Sequence, residues 1–120
     1  MRTDICIIGS GFSAAALLLH LDDKGVDCGA VTIIGPGELG TGQAFGCVND
    51  DFRLNVRAEL MRVWPDRRLD FTRWARQHIT DDPEAASDAG DVYRRRDFAA
   101  YMAEQLDQNP GTKTATHIEA

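Results

Sequence analysis

An apolar run, Ile5-Cys6-Ile7-Ile8, breaks into Gly9-Ser10-Gly11-Phe12-Ser13-Ala14 and continues as an apolar helical stretch. That order reads as a strand, a glycine turn and a helix start. Gly9 permits the tight turn out of the strand, Gly11 lets an anion approach the backbone, and Ala14 is small enough for the helix to pack closely on the strand. N–H groups in the first turn of a helix have no intrahelical acceptor and sit at the positive end of the helix dipole, so they attract a diphosphate. A second β-rich run, residues 30–34, follows one helix-length later. The β-α-β context predicts a dinucleotide-binding unit with residues 9–14 at the phosphate, against the blander reading of a plain strand-turn-helix junction.

The remaining composition narrows the class. At 120 residues the chain suits one compact domain and is shorter than a usual doubly wound dinucleotide fold. The expected class is therefore α/β, a Rossmann-like three-layer fold that is incomplete and occupies residues 1–120. A formal net charge of −6 argues against a nucleic-acid partner, whose phosphates demand a basic face. Cys6, Cys28 and Cys47 form no C-x-x-C pair, so neither a disulfide framework nor a zinc site is expected, and a reducing cytoplasm is the default location. The longest apolar stretch, residues 12–21, is too short for a bilayer and contains His20, so no membrane partner is expected.

Taken in order, residues 2–8 predict the first strand, apolar on both faces from Ile5 as a central parallel strand would be. A helix is expected from Phe12 to about Lys24, with Ala16, Leu19 and His20 on one stripe widened by Leu17, Leu18 and Leu21. Gly25 ends it. Dinucleotide folds commonly close their second strand with an acidic residue that binds the adenosine ribose. Here Gly35 stands in that place, and the nearest acid is Glu38, which reads equally as a ribose ligand or a solvated turn residue. Residues 37–46 hold four glycines, Gly37, Gly40, Gly42 and Gly46, and predict a loop able to lie against a flat ligand.

Beyond that loop, residues 52–56 predict a short extended piece, residues 58–61 a turn of helix, and residues 70–80 an amphipathic helix with Phe71, Trp74, Ala75 and His78 on its inner stripe. Residues 81–91 have no apolar face and predict an exposed loop. Arg94-Arg95-Arg96 precedes Asp97, the expected N-cap of a helix with Phe98, Tyr101, Met102, Gln105 and Leu106 on one side. Residues 114–119 have strand character and predict a third parallel strand or the start of a following sheet.

Several blocks together carry a family resemblance. Residues 9–14, Gly40-Thr41-Gly42-Gln43-Ala44-Phe45, Leu54-Asn55-Val56 with Met61 and Pro65-Asp66, Phe71-Thr72-Arg73-Trp74, and Arg95-Arg96-Asp97-Phe98-Ala99-Ala100-Tyr101-Met102 keep one order and spacing across nearly the whole chain. The sequence resembles the FAD/NAD(P)-binding proteins related to flavin-dependent N-hydroxylating monooxygenases. The resemblance implies the N-terminal part of a two-dinucleotide flavoprotein in which FAD binds the first unit and NAD(P)H reduces the flavin from a second domain.

Glu38, from its place after the second strand, and Gly40, Gly42, Gln43, Ala44, Asn55 and Arg95, from that comparison, join residues 9–14 as cofactor-binding candidates. Asn55 offers both donor and acceptor groups, and Arg95 a guanidinium fork for a phosphate or carboxylate. Arg94 stands where the family has proline and adds positive charge, while Arg94 and Arg96 read equally well as a solvated helix entry. No residue qualifies as a catalytic acid, base or nucleophile, and Cys47 reads as structural. Two functions stay open. One is the FAD-binding part or subunit of an oxidoreductase or monooxygenase, completed by a second protein chain in a hetero-oligomer. The other is a stand-alone NAD(P)- or adenine-nucleotide-binding regulatory module without catalysis.

Overall fold

The computed structural model describes residues 2–46, 49 and 51–120. Cys47, read from sequence as a structural thiol, lies outside them. The chain forms two compact units, residues 1–46 with 102–120, and residues 47–101.

In the first unit, β1 (Ile5–Ile8), β2 (Val31–Ile34) and β3 (Thr116–Ile118) make a parallel sheet in the order β1-β2-β3. Ile7 registers with Ile33, and Ile33 with His117. Two parallel neighbours need a crossover, and α1 (Phe12–Asp23) supplies the first. Its Ala14 and Leu18 pack with Ile7, Val31, Ile33 and Cys28 into one apolar cluster. Full burial of side chains the size of Leu18 and Ile33 stabilises the fold by roughly 1.5–3 kcal/mol each. Gly25, at φ +81°, donates its N–H to the Asp22 carbonyl and stops the helix where a side chain would be strained. Asp27 then accepts the Gly29 N–H and turns the chain toward β2.

Two details depart from the sequence reading. The helix buries Ala14, Ala15, Leu18 and Leu19 and leaves Leu17 exposed, so its inner stripe is shifted from the expected one. Moreover β1 is an edge strand here, with Cys6 exposed and Ile8 79% exposed, although its apolar sequence predicts cover on both faces. Ile5 and Ile7 belong to the clustered face; Cys6 and Ile8 point the other way because side chains alternate along a strand. Residues 114–119 resolve in favour of the third strand, parallel to β2.

The second unit is built on aromatic packing and ion pairs. In α3 (Asp70–His78), Phe71 and Ala75 are buried, Trp74 is half-buried and His78 is exposed. Phe71 meets Phe98 edge-on at 4.9 Å, Tyr93 at 5.7 Å and Tyr101 at 5.1 Å between ring centroids. Phe98 and Tyr101 lie on α4 (Arg95–Gln108), whose residues from Met102 onward belong to the first unit. Phe98, Tyr101, Met102, Gln105 and Leu106 are all buried, as their spacing predicts. The expected extended piece at 52–56 takes part in a single antiparallel bridge, Arg53 to Arg94, flanked by Leu54 N–H to Tyr93 O and Arg95 N–H to Phe52 O.

Ion pairs overturn three expectations. Residues 81–91 are irregular but not simply a solvated loop, since Ala85 is buried and the Asp82 side chain is 3% exposed. Arg53 grips Asp82 with two parallel hydrogen bonds of 2.7 and 2.8 Å. Arg94 is buried rather than solvated. Its guanidinium donates to Asp81 at 2.7 Å and to Asp97 at 2.7 Å, which neutralises the positive charge that Arg94 adds. Asp97 therefore serves Arg94 from the first turn of α4, which begins at Arg95, and is not an N-cap.

These carboxylates carry a pH signature. The hydrogen bonds from Arg53 hold Asp82 below the ordinary carboxylate value of 3.8, and those from Arg94 do the same for Asp81. A depressed folded-state pKa contributes stability above the unfolded value and loses it as pH falls through the folded value. We expect urea-unfolding stability to lose this contribution below roughly pH 4 as the carboxylates protonate. Asp82→Asn should lower stability at neutral pH by roughly 1.5–3 kcal/mol, because it removes the buried carboxylate that Arg53 grips while leaving the guanidinium its bond to the Val92 carbonyl, and should flatten that acid limb. An unchanged urea midpoint would show that the pairing does not hold the unit together.

Candidate functional site

The glycine turn is tied to the end of β2 and to the loop after it by three hydrogen bonds. Gly9 N–H donates to Ile34 O at 2.7 Å, Ser10 Oγ donates to Pro36 O at 2.5 Å, and Gly40 N–H donates to Ser10 O at 2.8 Å. Gly9 sits at φ +111°, a conformation that side-chain-bearing residues rarely adopt. Gly35 explains why an acid is absent at the end of β2. A Cβ there would lie 2.7 Å from Ser10 N and 2.9 Å from Gly9 C, inside the backbone of the turn. Its N–H donates to Ile118 O, and its carbonyl lies 3.1 Å from His117 Nε2, so β3 holds residue 35 from the other side.

Gly11 differs in kind. It caps α1 at φ −82°, an ordinary conformation, and a Cβ there would be in ordinary contact with the Gly42 backbone, Cα at 3.6 Å and N at 4.0 Å. Nothing among the described residues demands glycine at this position. The backbone is left bare beside the first turn of α1, which has no side-chain cap and no acidic residue. The N–H groups of Phe12, Ser13 and Ala14 fall in that first turn, where helix geometry provides no intrahelical acceptor.

A cavity of about 430 Å³ opens beside this turn. Gly9, Gly11, Phe12, Ser13, Ala14 and Gly42 all line it, so the structure brings together six of the residues proposed from sequence. Ser10 is buried with its hydroxyl committed to Pro36, making it a tie rather than part of the wall. Gly40, at φ +99°, packs near Ala15, Met102 and Leu106 behind the turn. Gln43 and Ala44 fall in the short helix α2 (Gly42–Phe45), and their side chains lie outside the described set. Glu38 is exposed and lines a different cavity of about 350 Å³, together with Ile33, Leu39, Lys113 and His117.

Asn55 and Arg95 belong to the second unit. Asn55 is exposed, and Arg95 donates Nε to the Arg53 carbonyl at 2.9 Å. Five wall residues were not among the site candidates from sequence, namely Ile7, Ile8, Leu17, Thr41 and Phe45. Phe45 meets Phe12 edge-on at 6.2 Å, so an aromatic pair stands beside the glycines. The signal was available in the Gly42-to-Phe45 block, but a single aromatic in a glycine-rich loop has no partner until the chain is folded. Among the described residues no cluster of His, Cys, Asp or Glu could hold a metal ion, and no helix is long and apolar enough to cross a membrane.

A parallel strand that turns through glycines into an uncapped helix, beside a cavity where the backbone is bare, is the build of a partial dinucleotide-binding α/β unit. A family profile described as FAD-NAD(P)-binding matches residues 6–118. The chain belongs to that FAD-NAD(P)-binding family. Neither the curated proteins nor the solved structures contain a match to it.

The two glycines make opposite predictions. Gly35→Ala should lower stability by roughly 2 kcal/mol in urea unfolding, because its methyl group has to displace the turn backbone. Gly11→Ala should change stability by less than about 1 kcal/mol, its weaker capping offset by a stiffer unfolded chain. Equal effects at both positions would show that the turn is not clamped as described.

Proposed function

We propose that this chain is the FAD-binding portion of a flavin-dependent oxidoreductase that uses NAD(P)H as reductant, within the group related to N-hydroxylating monooxygenases. The observation that carries the reading is the bare backbone at Gly11, where the fold itself would tolerate a side chain. A position that sterically accepts alanine yet carries glycine within a phosphate-binding pattern is accounted for by a ligand that needs the space. The residues present fit the diphosphate of a dinucleotide. The N–H groups of Phe12, Ser13 and Ala14 would donate to it, Gly11 would admit it, and Gly9 with Gly35 would hold the turn in place. Phe12 and Phe45 would form the apolar side of the same cleft.

Bound flavin would supply the hydride and electron chemistry, and the chain would contribute binding, orientation and the exclusion of water. Among the described residues no carboxylate lines the cavity at the turn, so the adenosine ribose would be held by backbone groups or by Glu38 from the neighbouring loop. The exposed edge of β1 supports the further reading that the Rossmann-like sheet continues beyond these three strands. In doubly wound sheets the strand order reverses next to the first strand, and the ligand crevice forms there. A further segment or a second chain pairing with β1 would cover Ile8 and give the three-layer arrangement. Free thiols at Cys6 and Cys28 agree with a reducing, cytoplasmic setting.

The test is titration of the full chain with FAD, NAD, NADP and ATP, following flavin fluorescence and calorimetric heat. FAD should bind in preference to the others, and Gly11→Ala should weaken it at least about tenfold while the urea midpoint stays near the wild-type value. Preference for NAD, NADP or ATP would favour a stand-alone regulatory module instead. Indifference to all four would sink the dinucleotide reading.

A further inference from the structure

The cavity of about 350 Å³ that Glu38 lines lies beside β3, the edge of the sheet opposite β1, and shares no lining residue with the cavity at the glycine turn. Its size is that of a small-molecule site. The described residues that line it all belong to the first unit. Its floor is core: Ile33 is fully buried, Leu106 is 7% exposed, and Leu39 and Ala115 pack against the apolar cluster of the sheet. Polar groups stand around this floor, and they are unevenly committed.

The side-chain donors of the wall are engaged. The Thr112 hydroxyl is spent on the Leu106 and Asn109 carbonyls, at 3.2 and 2.7 Å, and the Lys113 ammonium pairs with Asp107 at 2.5 Å. Acceptors are left over. His117 Nε2 lies 3.1 Å from the Gly35 carbonyl, which can only accept, so that nitrogen carries the proton and Nδ1 of the neutral ring keeps its lone pair. Nδ1 makes no hydrogen bond among the described residues and is not shut off from solvent. The Glu38 side chain is exposed, and no cation or donor among the described residues meets its carboxylate. With Asp107 neutralised by Lys113, the wall holds one uncompensated negative charge. A metal ion does not suit it, because no set of His, Cys, Asp or Glu among the described residues gathers closely enough to hold one. An organic cation can reach acceptors that stand apart.

We propose that this cavity binds a small organic cation, an alkylammonium or alkylguanidinium, whose N–H groups donate to the Glu38 carboxylate and to His117 Nδ1 while its carbon chain lies on Ile33, Leu39, Leu106 and Ala115. The carboxylate then gains a counter-ion and the imidazole a charged donor, which makes a stronger hydrogen bond than a neutral one. An anion is disfavoured, because Lys113 is already paired and Glu38 repels it. The site does not depend on the glycine turn, and it leaves the ribose of a dinucleotide to backbone groups.

The experiment is a two-dimensional NMR titration of the full chain at constant ionic strength, with n-butylammonium, n-butylguanidinium, methylammonium, butyrate and adenosine in separate arms. One of the two butyl cations should produce saturable shifts centred on Leu39, Ala115 and His117, and the tighter of them identifies the head group. Methylammonium, which lacks the chain, and butyrate, which reverses the charge, should each bind at least about tenfold more weakly. Glu38→Gln should weaken the butyl cation at least about tenfold while the urea midpoint stays at the wild-type value, since residue 38 is exposed. Ala103→Leu, which fills the cavity from an exposed position on α4 and keeps a good helix former there, should abolish the shifts. Gly11→Ala should leave the response unchanged, which separates this site from the dinucleotide one. Shifts that fail to saturate, that butyrate matches, or that persist at wild-type strength in either cavity variant would overturn the proposal. So would displacement of the cation by adenosine, which would assign the cavity to the dinucleotide.

Discussion

The first unit depends on a steric exclusion, namely that no atom can stand between residue 35 and the backbone of the glycine turn. The end of β2 and residues 9 and 10 approach so closely that only glycine fits at position 35. Three hydrogen bonds then tie the turn to the strand end and the following loop. The same closeness removes the side chain that would otherwise contact an adenosine ribose. Clamping the turn and presenting an acid from position 35 are mutually exclusive in this chain.

The second unit solves its packing differently. A ring cluster around Phe71 provides apolar burial, and the irregular segment from Asp81 to Asp91 is held by arginines rather than by an apolar face. Ion pairs of this sort add little net stability compared with apolar packing, yet removing one partner is expensive because the other is left buried. Their value lies in fixing one path for a segment with almost no hydrophobic residues to anchor it. Tyr93 shows the resulting environment: burial and the Asp91 carboxylate push its phenol up to about 12.

How much of this was legible beforehand depends on the range of the interaction concerned. The turn at Gly9 and Gly11, the helix stop at Gly25 and the inner face of α4 follow from local chemistry and periodicity, and the structure contains them. The parallel third strand was readable as strand but not as to its neighbour. The arginines were misread because a guanidinium beside acidic residues looks solvated until folding brings Asp81 and Asp82 to it across more than ten positions. Glu38 was drawn toward the turn by proximity in sequence, whereas the loop directs it into another cavity. Gly35 looked like a missing function because its reason is a contact with residue 10, which sequence spacing does not reveal. Asn55 and Arg95 came from the family resemblance, and their local geometry shows an exposed amide and a guanidinium bonded to the Arg53 carbonyl.

The edge position of β1 bears on how the protein must be handled. An uncovered parallel edge ending in an exposed isoleucine is a template for adventitious strand addition, and natural edge strands blunt that hazard with lysine, proline or a bulge. β1 has none of these between Ile5 and Ile8. A version of the chain intended for crystallisation or storage at high concentration would first need a lysine in place of Ile8. That change leaves the apolar cluster on Ile5 and Ile7 intact, but it also sets a charge on the wall of the cavity beside the glycine turn, so the edge and the candidate site share one side chain.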